Sequence, residues 1–212
     1  MQKPVSELFE ESQIIDENQK KRLLDEIDEN LMKELSDKAE KIEIEESGII
    51  ALDWLNGRRT PDANQKLKAA IEGLDLSSDA PRIFKALVES TCFGAKAIVD
   101  RFEDEGVPIK GVLGLGGVAG KSPFVMQTLS DILNMPIKNV RSKQTCALGA
   151  GMFAAVAAGL FENVEVAKKV MGSGFDKIYQ PKTENVEVYK KLYERYLSFG
   201  EIIEKRTEQP NN

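Results

Sequence analysis

The stretch Gly114-Leu115-Gly116-Gly117-Val118-Ala119-Gly120-Lys121-Ser122-Pro123 decides how this chain is read. It follows an apolar run, Ile109 to Leu115, and precedes a helical pattern that begins at Pro123 and runs to Leu133. A glycine-rich link between a strand and a helix is a common device for approaching a phosphate. Its spacing decides which device it is. The loop G-x-x-x-x-G-K-[ST] would need glycine at position 115, where this chain has Leu115, so a Walker A loop does not fit. Gly114, Gly116 and Ala119 do match G-x-G-x-x-A, the dinucleotide fingerprint. That motif opens its helix within the glycines, which would put Pro123 in the helix's second turn at a cost of about 3 kcal/mol. The acid that should bind a ribose some 20 residues on is missing as well, since residues 136–141 read PIKNVR. A purely structural strand-to-helix turn is a further reading.

Another reading accounts for the local chemistry. The strand ends at Leu115. Gly116 and Gly117 turn the chain and leave a face without side chains. Ser122 acts as N-cap and Pro123 takes the first helical position. The helix N-terminus then presents partial positive charge and free N–H groups toward a phosphate, and the bare glycine face suits an adenine or ribose.

Working outward, residues 1–46 carry many charges and no glycine. Asp16 with Gln19 forms a capping-box pattern, and Leu23, Leu24, Ile27, Leu31, Leu35, Ala39 and Ile42 recur at helical spacing. This helical extension is expected to cover an apolar surface; contact with another lobe or a second copy in a homodimer is the alternative. Ile49 to Leu52 reads as a short buried strand, and Asp53 to Pro61 as a turn. Lys68 to Leu74 fits strand or helix. Ser78 is expected to cap a long helix ending at Gly106. Pro136 to Val140 reads as a strand. Thr145 opens a helix dense in alanine and glycine, including Gly149, whose small side chains predict close packing on a sheet or helix. A last helix spans Glu184 to Lys205 with Val186, Tyr189, Tyr193, Tyr196 and Leu197 inward. Residues 206–212 are expected to be a disordered tail. Strands alternate with helices after residue 48, so the class is α/β.

Composition narrows the function. The chain has 212 residues, a net charge of −6, 42% hydrophobic and 30% charged residues, as expected of a soluble globular protein. No basic face stands out, which argues against nucleic acid and anionic membranes. No secretory signal pattern is present, and Ala147 to Phe161 is too short to span a bilayer. With no histidine and only Cys92 and Cys146, a histidine triad, a histidine zinc site and a four-cysteine site are excluded. Both cysteines read as structural thiols, in a cytoplasmic setting.

The turn together with GGVAGKSPFVMQTLSDILNMPI and CALGAGMFAAVAAGLF resembles the carboxy-terminal domain of the FGGY carbohydrate kinases. The upstream SGIIALDWLNGRRTPDANQKLKAAIEGLD and the helix RIFKALVESTCFGAKAIVDRF are most similar to the ribulokinase branch. The resemblance implies an actin-like ATPase (ribonuclease H-like) fold over residues 47–205. It places Gly116 and Gly117 against the adenosine of ATP, with Ala119, Gly120, Lys121 and Ser122 lining the same turn. Asp53, Asn56 and Gly57 would lie near the cleft, and Gly149 would let its helix approach the sheet. This chain has one residue more between the glycine pair and Lys-Ser-Pro than the commonest family pattern. Family members are about twice as long. The resemblance puts the catalytic aspartate and most sugar contacts in an amino-terminal lobe, which would be this chain's partner, with ATP, Mg²⁺ and ribulose as ligands. A different sugar, such as xylulose or glycerol, is an alternative, as is a non-catalytic actin-like scaffold or regulatory domain.

Overall fold

The computed structural model describes residue 14 and residues 16–208. The readings of residues 1–13 and 15, and of residues 209–212 of the expected 206–212 tail, lie outside the described residues; residues 206–208 are helical, contrary to the expected disorder. Helix α1, Glu17–Ala39, starts as its sequence dictates: Asp16 accepts from the Gln19 N–H at 2.9 Å while Gln19 returns a bond to the Asp16 N–H. It packs along α2, Ala80–Asp104. Between them in the chain, β1 (Ile50–Ala51) pairs antiparallel with β2 (Ile71–Glu72), so the ambiguous Lys68–Leu74 segment holds a two-residue strand and no helix.

The cap of α2 is Asp79, one residue beyond the expected Ser78. Asp79 accepts from the Arg82 N–H, whereas the Ser78 hydroxyl closes a local turn with Asp75. After α2 comes β3, Val112–Gly114, shorter than the Ile109–Leu115 run because β4, Ile137–Val140, offers parallel partners to only those three residues. The segment between them forms two helices, α3 (Gly117–Lys121) and α4 (Pro123–Leu133). Helix α5, Thr145–Ala157, packs on α6, Val164–Met171; β5, Phe175–Tyr179, then returns antiparallel to β4. Helix α7, Thr183–Glu208, closes the described chain.

The main core lies where α2, α4, α7 and β1 meet. Leu52, Trp54, Leu67, Cys92, Phe93, Phe124, Tyr189 and Tyr196 are buried there. The buried stripe of α7 runs Tyr189, Leu192, Tyr196, Phe199, at spacings of three and four residues. Leu197 lies one residue off that stripe and is 44% exposed, contrary to its expected inward place. Cys92 is a buried free thiol whose ionisation burial strongly disfavours; Cys146 is exposed. Helix α5 departs from expectation more clearly: none of its residues is buried, and a Cβ added at Gly149 would meet nothing within 4 Å. Small side chains permit a close neighbour, but none is supplied at that glycine among the described residues. No described helix is long and apolar enough to cross a membrane.

Candidate functional site

The turn after β3 is built by three glycines with three different reasons. Gly114 lies under α4: a Cβ there would come within 2.5 Å of Met126 Cε and 3.5 Å of Ala119 Cβ and Ile137 Cγ2. Gly116 has φ 89° and ψ −170°, a region open essentially to glycine alone. Gly117 has ordinary helical geometry and begins α3, and an added Cβ would meet nothing within 4 Å. Gly116 and Gly120 also face open space. The bare patch read from the sequence is therefore open to solvent rather than packed shut.

Two details differ from the sequence reading. The chain does not pass directly from the glycine pair to the Ser122 cap, because α3 intervenes. Ala119, expected to line the turn, points inward and is 6% exposed, in a core cluster with Met126, Leu133, Ile137 and Tyr179. The Ala119 carbonyl accepts a buried bond from Asn139 Nδ2 at 3.1 Å. Lys121 is exposed and Ser122 half-buried. The Ser122 hydroxyl accepts from the Val125 N–H at 3.4 Å and Pro123 sits at N1, as the sequence requires.

Asp53 belongs to a different groove, of about 250 Å³, lined also by Trp54, Arg58, Thr91, Gly94 and Tyr196. Its Oδ1 accepts from the Tyr196 hydroxyl at 2.9 Å, and a Cβ at Gly94 would lie 2.6 Å from its Oδ2. Burial raises the Asp53 carboxyl above the ordinary aspartate range, with the Tyr196 bond opposing. Arg58 fixes this loop to α7 through two bonds to Glu204, of 2.9 and 2.8 Å. Gly57 has φ 83°, and a Cβ there would meet Gln65 Cα at 2.7 Å, so it is a turn glycine; Asn56 is exposed. Gly149 lines a third groove, of about 440 Å³, with Val140, Leu148, Met152, Lys168 and Phe175.

Residues 8–158 match the FGGY family of carbohydrate kinases, C-terminal domain. The chain belongs to this family. The family match takes in α1 as well as the glycine turn. A ribulokinase from Vibrio parahaemolyticus is 46% identical over 184 residues, covering 87% of this chain and 32% of that protein. A ribulokinase from Bacillus licheniformis is 42% identical over 166 residues, covering 76% of this chain and 30% of that protein. Xylulose kinase from Rhodospirillum rubrum shares the fold, with a TM-score of 0.73 and 19% identity over 85% of this chain and 36% of that one. Plasmodium falciparum glycerol kinase, solved with ADP, matches with a TM-score of 0.66 and 25% identity over 84% of this chain and 34% of that one. The fold is thus that of an actin-like sugar-kinase domain. The chain spans about a third of the length of the curated relatives it matches.

Within this FGGY domain the expected residues fall into three places rather than one. Gly116, Gly117 and Gly120 share one open face, Asp53 lies in the Tyr196 groove, and Gly149 borders the α5–α6 groove. Sequence reasoning missed Asn139. Its signal was indirect: Pro123 cannot donate to the carbonyl four residues before it.

Proposed function

We propose that this chain is the nucleotide-binding carboxy-terminal part of an ATP-dependent kinase that phosphorylates ribulose. The observation that carries this reading is the 46% identity to a ribulokinase across nearly the whole chain, against 19–25% to the xylulose, gluconate and glycerol kinases of known structure. The open face of Gly116, Gly117 and Gly120 supports a nucleoside seat there, since any side chain would occupy the ligand's place. Lys121 and Ser122 flank that seat, and Lys121 offers a solvated positive charge to a phosphate. Among the described residues no group of three or more Asp, Glu, Cys or His is placed to hold a metal ion. Mg²⁺ on this reading arrives on the ATP phosphates and neutralises their charge.

An amino-terminal lobe is the partner this reading requires. Strand β3 has β4 as its one neighbour among the described strands, and Leu113 and Ile178 are exposed on one face of the sheet. Phosphoryl transfer needs an acceptor hydroxyl in line with the γ-phosphate and a base to orient it. That lobe supplies the base and most sugar contacts, in a cytosolic enzyme. The isolated chain binds ATP weakly and transfers nothing. The test joins the chain to such a lobe and measures ADP release against a panel of ketoses and polyols. Ribulose should be the fastest substrate; a preference for another sugar moves the specificity, and no release with any sugar refutes the kinase reading.

A further inference from the structure

We propose that Asn139 is a positioning residue of the nucleotide turn: its side-chain amide supplies the hydrogen bond that Pro123 cannot give to the Ala119 carbonyl. The inference rests on the nucleotide reading above. In α3 the Gly116 carbonyl accepts from the Gly120 N–H at 3.2 Å, and the Val118 carbonyl accepts from the Ser122 N–H at 2.9 Å. The next carbonyl in the series, that of Ala119, would look to residue 123. Proline has no N–H. A carbonyl left without a donor in a buried setting carries a full desolvation penalty. Asn139 Nδ2 fills the gap at 3.1 Å through a buried bond, and Asn139 itself is 6% exposed.

The register explains how a residue 20 positions away arrives there. Gly114 and Asn139 are opposite one another across the parallel β3–β4 pair. A Cβ at Gly114 would stand close to Ala119 Cβ as well as to Met126 Cε, so this end of the β3–β4 pair lies directly beneath α3 and α4, within reach of the Asn139 amide. Pinning Ala119 inward also orients the rest of α3. Gly117 and Gly120, three apart on α3, share the face opposite the inward Ala119 and are exposed, as is the preceding Gly116. Asn139 touches no ligand on this reading; it sets the orientation of the bare face that does.

The test uses the whole 212-residue chain, followed by NMR. Asn139→Ala removes the donor and the volume; Asn139→Leu removes the donor and keeps similar volume. In both, amide exchange at Gly120 and Ser122 should accelerate about tenfold relative to the β4 ladder amides, as expected for one lost hydrogen bond and a stranded acceptor. Addition of millimolar Mg-ATP should shift the Gly116 to Gly120 amides in the wild type, with an apparent Kd several-fold higher in both variants, because the binding-competent turn is less populated. Wild-type exchange and affinity in Asn139→Leu would reduce the residue to a volume filler and overturn the proposal. Faster exchange without a change in affinity would likewise remove it from the site. Absence of ATP-induced shifts in the wild type sinks the nucleotide reading itself, and the assignment with it, whatever the exchange data show. Should Asn139→Ala not fold, Asn139→Leu decides alone.

Discussion

Replacing Gly117 by valine separates ligand binding from folding. A Cβ at this position meets no heavy atom within 4 Å, and the residue has no positive φ. Nothing in the fold resists the side chain. Valine is also the better helix former, by a few tenths of a kcal/mol. The thermal midpoint should therefore stay within about 2 °C of the wild type, or rise slightly, since about 1 kcal/mol shifts a domain of this size by roughly 2–4 °C. The branched side chain would project from the face assigned to the nucleoside. A ligand lying flat on Gly117 would have to lift by more than a methyl radius, which forfeits most of the dispersion contacts on that side. The loss should be at least tenfold in Kd, or about 1.4 kcal/mol. Mg-ATP titration by calorimetry, in the chain joined to an amino-terminal lobe, reads this directly beside a melting curve. Unchanged affinity with an unchanged melt would refute the reasoning, because a side chain in the nucleoside's seat cannot be neutral.

Neighbouring glycines should behave differently. Gly116→Ala forces a Cβ onto φ 89° and should destabilise the fold by about 1–3 kcal/mol in urea titrations. The Arg58–Glu204 pair, joined by two bonds at a half-exposed site, should show a coupling of roughly 1 kcal/mol in a double-mutant cycle; a value near zero would mean that the Asp53 loop is held without it. Glu89 is buried beside Lys85 and accepts from the Tyr189 hydroxyl, and burial pushes its carboxyl up to about 7 from an ordinary 4.5. Because the folded state holds this proton more tightly, its contribution is complete below about 4.5 and is lost as pH rises to about 7. Glu89→Gln removes that dependence, so the variant should gain on the wild type between pH 5 and 7 by on the order of 1 kcal/mol per unit; parallel stability profiles would contradict this.

The parts of the fold that were legible in the sequence are those specified by local chemistry. Asp16 with Gln19, and Ser122 followed by Pro123, announce helix starts because cap and first turn are contiguous in the chain. What was not legible depends on distant partners. Helix α3 has the sequence GVAGK, with no periodicity and two poor helix formers; its Ala119 is held by a side chain of β4. Strand β5, FDKIY, has four exposed residues followed by one buried, so it shows no alternation that would mark a strand. The small-residue helix α5 shows the limit in reverse. Its composition said what could approach, and the structure leaves the approach unmade at Gly149. At the site, the open glycines were readable because absence of a side chain is a local property, whereas the inward turn of Ala119 was not.

Two carboxylates, Asp131 and Asp53, bear on what the domain contributes to catalysis. Asp131, on the helix that begins at Pro123, is 2% exposed. Its Oδ1 accepts from Gln127 Nε2 and from the Lys182 N–H, each at 2.8 Å, and its Oδ2 accepts from Asn185 Nδ2 at 2.7 Å. Two of these donors, from Lys182 and Asn185, hold α4 to the start of α7; with the third, from Gln127 on α4 itself, they leave no face for a substrate. Asp53 is engaged by Tyr196 and walled by Gly94 in a groove to which the glycine turn contributes no residue. A general base must reach the hydroxyl it deprotonates, directly or through one water. Asp131 is enclosed and Asp53 faces elsewhere. The turn itself offers backbone amides, three bare glycines and a lysine, all suited to holding a nucleotide and none to accepting a proton. On the proposed reading, therefore, this domain contributes through shape and position, and the proton acceptor belongs to the opposing lobe. Asp53→Asn in the joined enzyme should then change turnover less than tenfold, measured by ADP release at saturating ribulose. A loss of a thousandfold with the melt unchanged would place the base in this domain and overturn that division of labour.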